Sequence, residues 1–121
     1  MYITRHVVAL VTDALGACIA YSPVVTGKVS QVRYVKTDFT DGVDFVVTSE
    51  ATGETIWAQD NINASVTVAP RQATDSVAGV ASEYATGFAV TDKIAVANDR
   101  IKVVIANGGA TKSGVIHFVI E

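Results

Sequence analysis

Turn-forming residues recur about every ten positions along this chain and separate short segments rich in β-branched side chains. The stretch from Val24 to Trp57 reads as three strands divided by polar turns. β-Branched residues favour strands, whereas Gly, Asp and Asn favour turns. This spacing is typical of sandwiches and barrels. We therefore expect an all-β fold, a single antiparallel β-sandwich or barrel-like domain of about eight short strands with one long loop.

Length and charge limit the classes of partner. A chain of 121 residues suits one core, so we expect a single β-domain over residues 1–121. Its nine basic residues are scattered singly against twelve acidic ones, which leaves no basic stripe for a nucleic acid. The longest strongly apolar run, Val7 to Val11, is far shorter than the roughly 20 residues of a membrane span. Neither nucleic acid nor membrane is therefore expected as a partner.

The composition predicts a surface that other proteins cover. Half of the residues are apolar and only 17% are charged, against about 25% in an average domain. A small β-domain of this kind exposes apolar surface, and a large exposed apolar patch marks an interaction surface. The first residues read as a strand and not as a secretory signal, so synthesis and folding in a cytoplasm are expected.

Local patterns predict particular turns and bends. Tyr2 to Thr12 is expected to form a hairpin with Ala17 to Tyr21. Gly27 is expected to mark a bulge or close approach in a bent strand from Val24 to Lys36. The glycine turn at Asn107 to Gly109 is expected to close another hairpin.

The exception is Arg71 to Thr91, which is rich in Ala, Ser, Thr and Gly and shows no strong period. A loop longer than about 15 residues in a small domain is usually functional or contains a short element. A short helical turn around Val80 to Ala85 is one alternative. We identify no repeat of fixed period in the chain.

Candidate chemical groups are few. Asp38, Asp41 and Asp44 lie three apart and could surround a calcium ion, but their spacing departs from an EF-hand and turn roles are favoured. His6 and His117 lie in strand patterns without further ligands nearby in sequence, so no metal site is expected. The favoured interpretation is a protein that is not an enzyme and has no cofactor.

The single cysteine and the aromatic residues have structural alternatives. Cys18 is expected to be a small buried hydrophobe, because no base accompanies it in sequence. Trp57, Tyr84 and Phe88 could form an aromatic platform for a sugar ring. Trp57 is nevertheless expected in the core, and the other two could contact a neighbouring protein.

Four segments carry a family resemblance: TDALG, YSPVVTGKVSQVRYVKTDFTDGVDFVVTSEATGETIW, NASVTVAPRQAT and RIKVVIANGGATKSGVIHFVIE. From Thr12 to Glu121 the chain resembles small virion structural proteins of tailed bacteriophages. The resemblance implies a capsid decoration, cement or minor capsid protein, made in the host cytoplasm and located on the capsid surface of the virion. It implies the major capsid protein as partner, together with further copies of the chain, and we expect a homotrimer.

For the contact surface in such a particle we predict Arg71, Tyr84 and Phe88, since interfaces favour arginine and aromatic residues. The N-terminal segment Met1 to Arg5, with Tyr2 and Arg5 as its contact residues, is a second candidate, as an arm that adds to a neighbouring sheet. The alternative function is a tail or fibre-associated β-sandwich module that binds a host glycan.

Overall fold

All regular structure in the described part of the chain is β-strand. A computed structural model describes residues 3–121 and contains no helix within them. The strands are β1 (Thr4–Val11), β2 (Cys18–Lys36), β3 (Val43–Ser49), β4 (Thr55–Ile62), β5 (Val66–Val68), β6 (Arg71–Ala73), β7 (Glu83–Ala85), β8 (Phe88–Ala89), β9 (Thr91–Ala106) and β10 (Ser113–Ile120). Eight form one antiparallel sheet, and β7 pairs with β8. The expected all-β, sandwich-like fold is confirmed, although β2 and β9 have 19 and 16 residues and are not short.

The strand order differs from a succession of hairpins. The main sheet runs β1-β10-β2-β9-β3-β4, with β5 beside β2 and β6 beside β9. β1 pairs with β10 along its whole length, and the first half of β2 pairs with β9. The expected hairpin of Tyr2 to Thr12 with Ala17 to Tyr21 is therefore wrong. Pairing between distant segments has overridden the tendency of consecutive strands to be neighbours.

The glycine turn after β9 closes no hairpin either, because β2 lies between β9 and β10. This turn packs against the turn that precedes β2. The amide of Gly108 donates to the carbonyl of Gly16 at 3.0 Å, and the hydroxyl of Thr12 accepts from the amide of Lys112 at 2.8 Å. Two loops thus satisfy each other's backbone groups at one end of the sandwich.

Strand β2 belongs to both faces of the sandwich, because its partner changes along its length. It pairs with β9 from Cys18 to Val29 and with β10 from Val29 to Lys36. Gly27 lies at the bend with φ +145°, where the register shifts. A side chain here would bring its Cβ within 2.6 Å of the carbonyl oxygen of Glu121. The prediction of a bulge and close approach at Gly27 is confirmed.

Aromatic side chains fill the centre of the core. Tyr34 and Phe45 have ring centroids 4.7 Å apart, and Phe45 stacks on Trp57 at 5.4 Å. Trp57 is only 8% exposed, which confirms its expected place in the core. Burial of each such ring contributes roughly 1.5–3 kcal/mol, and aromatic pairing adds to it.

Replacement of Gly27 tests the bend. We expect Gly27→Ala to lower the free energy of unfolding by at least ~2 kcal/mol, because the new Cβ would meet Glu121 in a strained backbone conformation. Gly53→Ala is the matched control, since Gly53 also has a positive φ but a Cβ added there would have no atom within 4 Å, and about 1 kcal/mol is expected. Urea unfolding measures both, and equal losses would contradict the close approach.

Candidate protein-docking arm

The segment between β5 and the body of β9 projects as a branched arm, defined here as residues 71–93. Its stem is the pairing of β6 with the start of β9, from Arg71 opposite Lys93 to Ala73 opposite Thr91. Two short hairpins branch from the stem. The first leaf, residues 75–81, is closed by the bridge between Asp75 and Ala81. The second leaf, residues 83–89, is the β7–β8 hairpin.

Three backbone hydrogen bonds hold the stem and the leaves together in a ring. The amide of Thr74 donates to the carbonyl of Val90, that of Ser82 to Thr74, and that of Val90 to Ser82, each at 2.9 Å. Every residue at this junction both donates and accepts, so the branch point is satisfied without any side chain of the body. The expected long loop is therefore an ordered β-element, and the alternative of a helical turn around Val80 to Ala85 is wrong.

The two leaves correspond to an eight-residue repeat, so the expectation that the chain has no repeat is wrong. ATDSVAGV at residues 73–80 aligns with ASEYATGF at residues 81–88. Thr74 and Ser82 occupy equivalent junction positions, and Gly79 and Gly87 turn the two leaves with φ +76° and +81°. Left-handed φ values favour glycine. Two copies are too few for a period to stand out against a background rich in Ala, Ser and Thr.

Large apolar side chains of the arm face solvent. Tyr84 is 73% exposed and Phe88 is 57% exposed, and their ring centroids lie 5.7 Å apart on the second leaf. Val77 and Val80 of the first leaf and Val90 at the junction are also exposed. Exposed apolar side chains that lie together, as the two rings do, mark a candidate site of protein contact. The arm thus presents the aromatic pair that residue type alone assigned to a partner.

The other predicted contact residues lie elsewhere. Arg71 is at the base of the stem, where its guanidinium donates to the carbonyls of Ser30 at 3.1 Å and Pro70 at 2.8 Å. Arg5 lies within β1, opposite Val119, so the expected N-terminal arm does not extend as far as Arg5. Tyr2 lies outside the described residues. Arg71 therefore fastens the arm to the body, while its contact with a partner stays a prediction.

The three spaced aspartates have separate structural roles. Asp38 accepts from the amide of Ser113 at 2.5 Å, and Asp44 accepts from the amide of Asn61 at 2.9 Å. Asp41 forms an ion pair with Lys36. Between residues 3 and 121 no group of three or more His, Cys, Asp or Glu side chains is arranged to hold a metal ion. These carboxylates link strands and turns to one another.

The histidines contact neighbouring side chains within the sheet. The Nε2 of His6 lies 3.2 Å from the hydroxyl of Thr4, and the Nδ1 of His117 lies 3.4 Å from the Nη1 of Arg5.

The remaining candidates for chemistry are a buried phenol and a surface depression. The hydroxyl of Tyr34 has no hydrogen-bond partner within residues 3–121, and burial, reinforced by Asp38 and Asp41, raises its pKa to about 12. It therefore stays neutral at ordinary pH. The depression, of about 500 Å³, is open and lies beside the turn at Asp13, with the half-buried Cys18 in its lining.

Asp13 is committed to its turn. Backbone hydrogen bonds, from Ala17 and then Leu15, lower the pKa of Asp13. The carboxylate of Asp13 therefore stabilises its own turn by accepting hydrogen bonds from the backbone.

No known protein family, curated protein or solved structure matches the chain. Within the described range, no helix is long and apolar enough to cross a membrane.

The role of Asp38 can be tested through pH. The backbone hydrogen bond from Ser113 lowers the pKa of Asp38 in the folded state below its ordinary value of 3.8. A lowered folded-state pKa gives stability that is complete above the ordinary value and is lost as pH falls through the lowered one. Wild-type protein should therefore be more stable than Asp38→Ala at pH 7, and the difference in urea midpoint should narrow at acid pH.

Asp60→Ala is the control, because Asp60 is exposed on β4 and makes no hydrogen bond through its side chain to another described residue. It should leave the urea midpoint at pH 7 almost unchanged. A wild-type advantage over Asp38→Ala that is constant down to acid pH would contradict the assigned role of the Ser113 contact.

Proposed function

We propose that this chain is a virion structural protein of a tailed bacteriophage, a self-associating decoration subunit that stabilises the head at junctions of major capsid subunits. The observation that carries the proposal is the arm. It is an ordered β-element whose aromatic and aliphatic side chains are exposed to solvent.

The energetics of the arm favour a partner. A two-stranded hairpin alone is marginally stable in water, and the second leaf exposes both of its rings. Covering Tyr84 and Phe88 would release apolar surface from water at roughly 25 cal/mol per Å².

The proposed role requires only that the protein bind to assembled shells. A protein that binds assembled shells better than free capsid subunits stabilises the shell by mass action. Particle symmetry repeats the contact, so an oligomer that engages several sites binds far more strongly than one subunit. The resemblance to phage virion proteins is the reason for proposing a capsid as the partner, and the exposed arm is the proposed contact surface.

The glycan-binding alternative has lost part of its support. The three-ring platform required Trp57 beside Tyr84 and Phe88, but Trp57 is buried against Phe45 in the core. Only a two-ring surface remains on the arm. We therefore retain the decoration role and use glycan binding as an outcome of its test.

The test uses shells of the encoding phage assembled without this chain. Purified wild-type protein should pellet with these shells, whereas Tyr84→Thr combined with Phe88→Thr should reduce binding at least about tenfold, since interface aromatics often dominate affinity. Threonine keeps the preference for strand. Leu15→Thr is the matched control, because Leu15 is 90% exposed on a turn of the body, and binding should be unchanged.

Cosedimentation measures all three proteins. Failure of the wild-type protein to bind shells would contradict the proposal. So would retention on a glycan array that depends on Tyr84 and Phe88 without any binding to shells, and that result would favour the fibre-associated module.

A further inference from the structure

The two edges of the main sheet differ in how well they are protected against another strand. At one edge β4 pairs with β3 through two register shifts, and it carries Asp60 and Asn61, the latter at φ +57°. At the other edge β1 pairs with β10 from Thr4 to Val11 without any shift. β1 contains no proline, lysine or carboxylate, and Arg5 is its one arginine. A long regular edge of this kind is a template for pairing with another chain.

The backbone of β1 has unpaired groups on the side away from β10. The amide of Thr12 donates to the carbonyl of Lys112 at 2.8 Å, just beyond the last residue of β1. Hydrogen-bonded pairs alternate along an antiparallel ladder, so the even-numbered residues of β1 bond to β10 and the odd-numbered ones direct their amides and carbonyls away from it. Outside the ladder with β10, no backbone hydrogen bond between described residues involves residues 5, 7, 9 or 11. We call this free side of residues 3–11 the β1 edge.

The side chains of the odd-numbered residues are also uncovered. They are exposed along the whole strand, including Val7 at 55% and Val11 at 61%. The even-numbered Val8 and Leu10 are buried in the core. A strand added at the β1 edge would therefore find both free backbone groups and exposed apolar side chains to pair with.

The β1 edge is complementary to a second copy of itself. An antiparallel pair of β1 edges with its two-fold axis at Val7 places Arg5 of each copy opposite Ala9 of the other. In the same register Ile3 lies opposite Val11, so the longest side chain of the row faces the shortest and every other pair is aliphatic. The two arginines are about 14 Å apart along the strands, beyond the Debye length of about 8 Å at physiological salt. Like charge therefore hardly opposes the contact.

This register uses more of the free backbone than any other. The five odd-numbered residues of residues 3–11 would each exchange two hydrogen bonds with a residue of the second copy, about ten bonds in all. A typical protein interface has about ten direct hydrogen bonds. Any shift of the register leaves an odd-numbered residue at one end of the edge without a partner.

The surface depression lies where this register needs space. At its end the β1 edge meets the start of β2 across the open depression of about 500 Å³. The depression is lined by Val11, Thr12, Asp13, Ala17, Cys18 and Ile19. Because Val11 is opposite Ile3 of the second copy, that exposed isoleucine would enter the depression beside Val11.

From these observations we infer that two copies of the chain pair through their β1 edges and form one continuous sheet across a two-fold axis at Val7. The same surface is used by both copies, so the contact closes at two copies. The inferred oligomer is a dimer, in contrast to the homotrimer expected from the resemblance. The inference rests on the self-association included in the proposed function and identifies the surface that produces it.

Charges placed at the two-fold axis test this arrangement. In sedimentation velocity the wild-type protein should form a dimer. Val7→Lys and Val7→Glu each put like charges opposite one another, so each alone should dimerise at least about tenfold more weakly than the wild type. An equimolar mixture should dimerise at least about tenfold more tightly than either variant alone, because opposite charges then face each other. Val46→Lys and Val46→Glu are the control, since Val46 is exposed on β3 outside the β1 edge, and both should dimerise like the wild type.

Oxidative cross-linking tests the register. In a Cys18→Ser background, Val7→Cys should give a disulfide-linked dimer, because the two residues at the axis have Cα atoms about 5.5 Å apart, within reach of a disulfide. Val11→Cys is the matched control, since Val11 is similarly exposed but lies about 27 Å from its counterpart, and it should give no cross-link. Gel electrophoresis without reductant measures both.

The results separate this inference from the proposed function. A monomeric or trimeric wild-type protein, charge variants that do not complement each other, or cross-linking at residue 7 that is absent or no greater than at residue 11 would each overturn the β1 contact. Circular dichroism of every variant confirms that its strands are formed. Shell binding by a monomeric wild-type protein would overturn the inference alone, whereas a wild-type dimer with complementing charge variants that ignores shells would overturn the capsid role alone.

Discussion

The architecture depends on the change of partner along β2. One continuous strand cannot serve two faces of a sandwich unless its backbone bends sharply, and the bend at Gly27 brings Lys28 opposite the last residue of the chain. Lys28 and Glu121 exchange two backbone hydrogen bonds, at 2.9 and 3.0 Å. The end of β10 is thereby fixed against the middle of β2. β1, which pairs only with β10 among the described strands, depends on the same contact.

Because of this arrangement, local sequence patterns predict where the strands lie but not which strands are neighbours in the sheet. The alternation of Val43, Phe45 and Val47 is typical of a half-buried strand within the predicted stretch from Val24 to Trp57, and all three side chains are buried. No such periodicity reveals that β10 separates β1 from β2, because that choice depends on contacts more than a hundred residues apart in sequence. Gly27 was the exception, since a lone glycine in a strand pattern indicates close approach of another backbone.

In the arm, the sequence predicts the contact residues but not the path of the backbone. Its aromatic residues were predicted as a contact surface from residue type, but its form was missed because a branch of two leaves has neither the period of a helix nor that of one strand. The repeat contains the missing information. Positions that build the branch are alike in both copies, as at Thr74 and Ser82 or Gly79 and Gly87. A junction of backbone hydrogen bonds constrains little else, so the intervening positions are free to differ.

Those free positions carry the features on which a contact depends. Ser76 of the first leaf corresponds to Tyr84 of the second, and Val80 corresponds to Phe88, so the first leaf has a serine and a valine where the second has two aromatic rings. The position held by Asp75 in the first leaf and by Glu83 in the second is acidic in both. The second leaf therefore exposes two aromatic rings, and each leaf carries one carboxylate. The composition poor in charge that first suggested a covered surface has its exposed apolar side chains in several places, among them the arm, Val7 and Val11 of β1, and Ile19 and Val46 of the sheet.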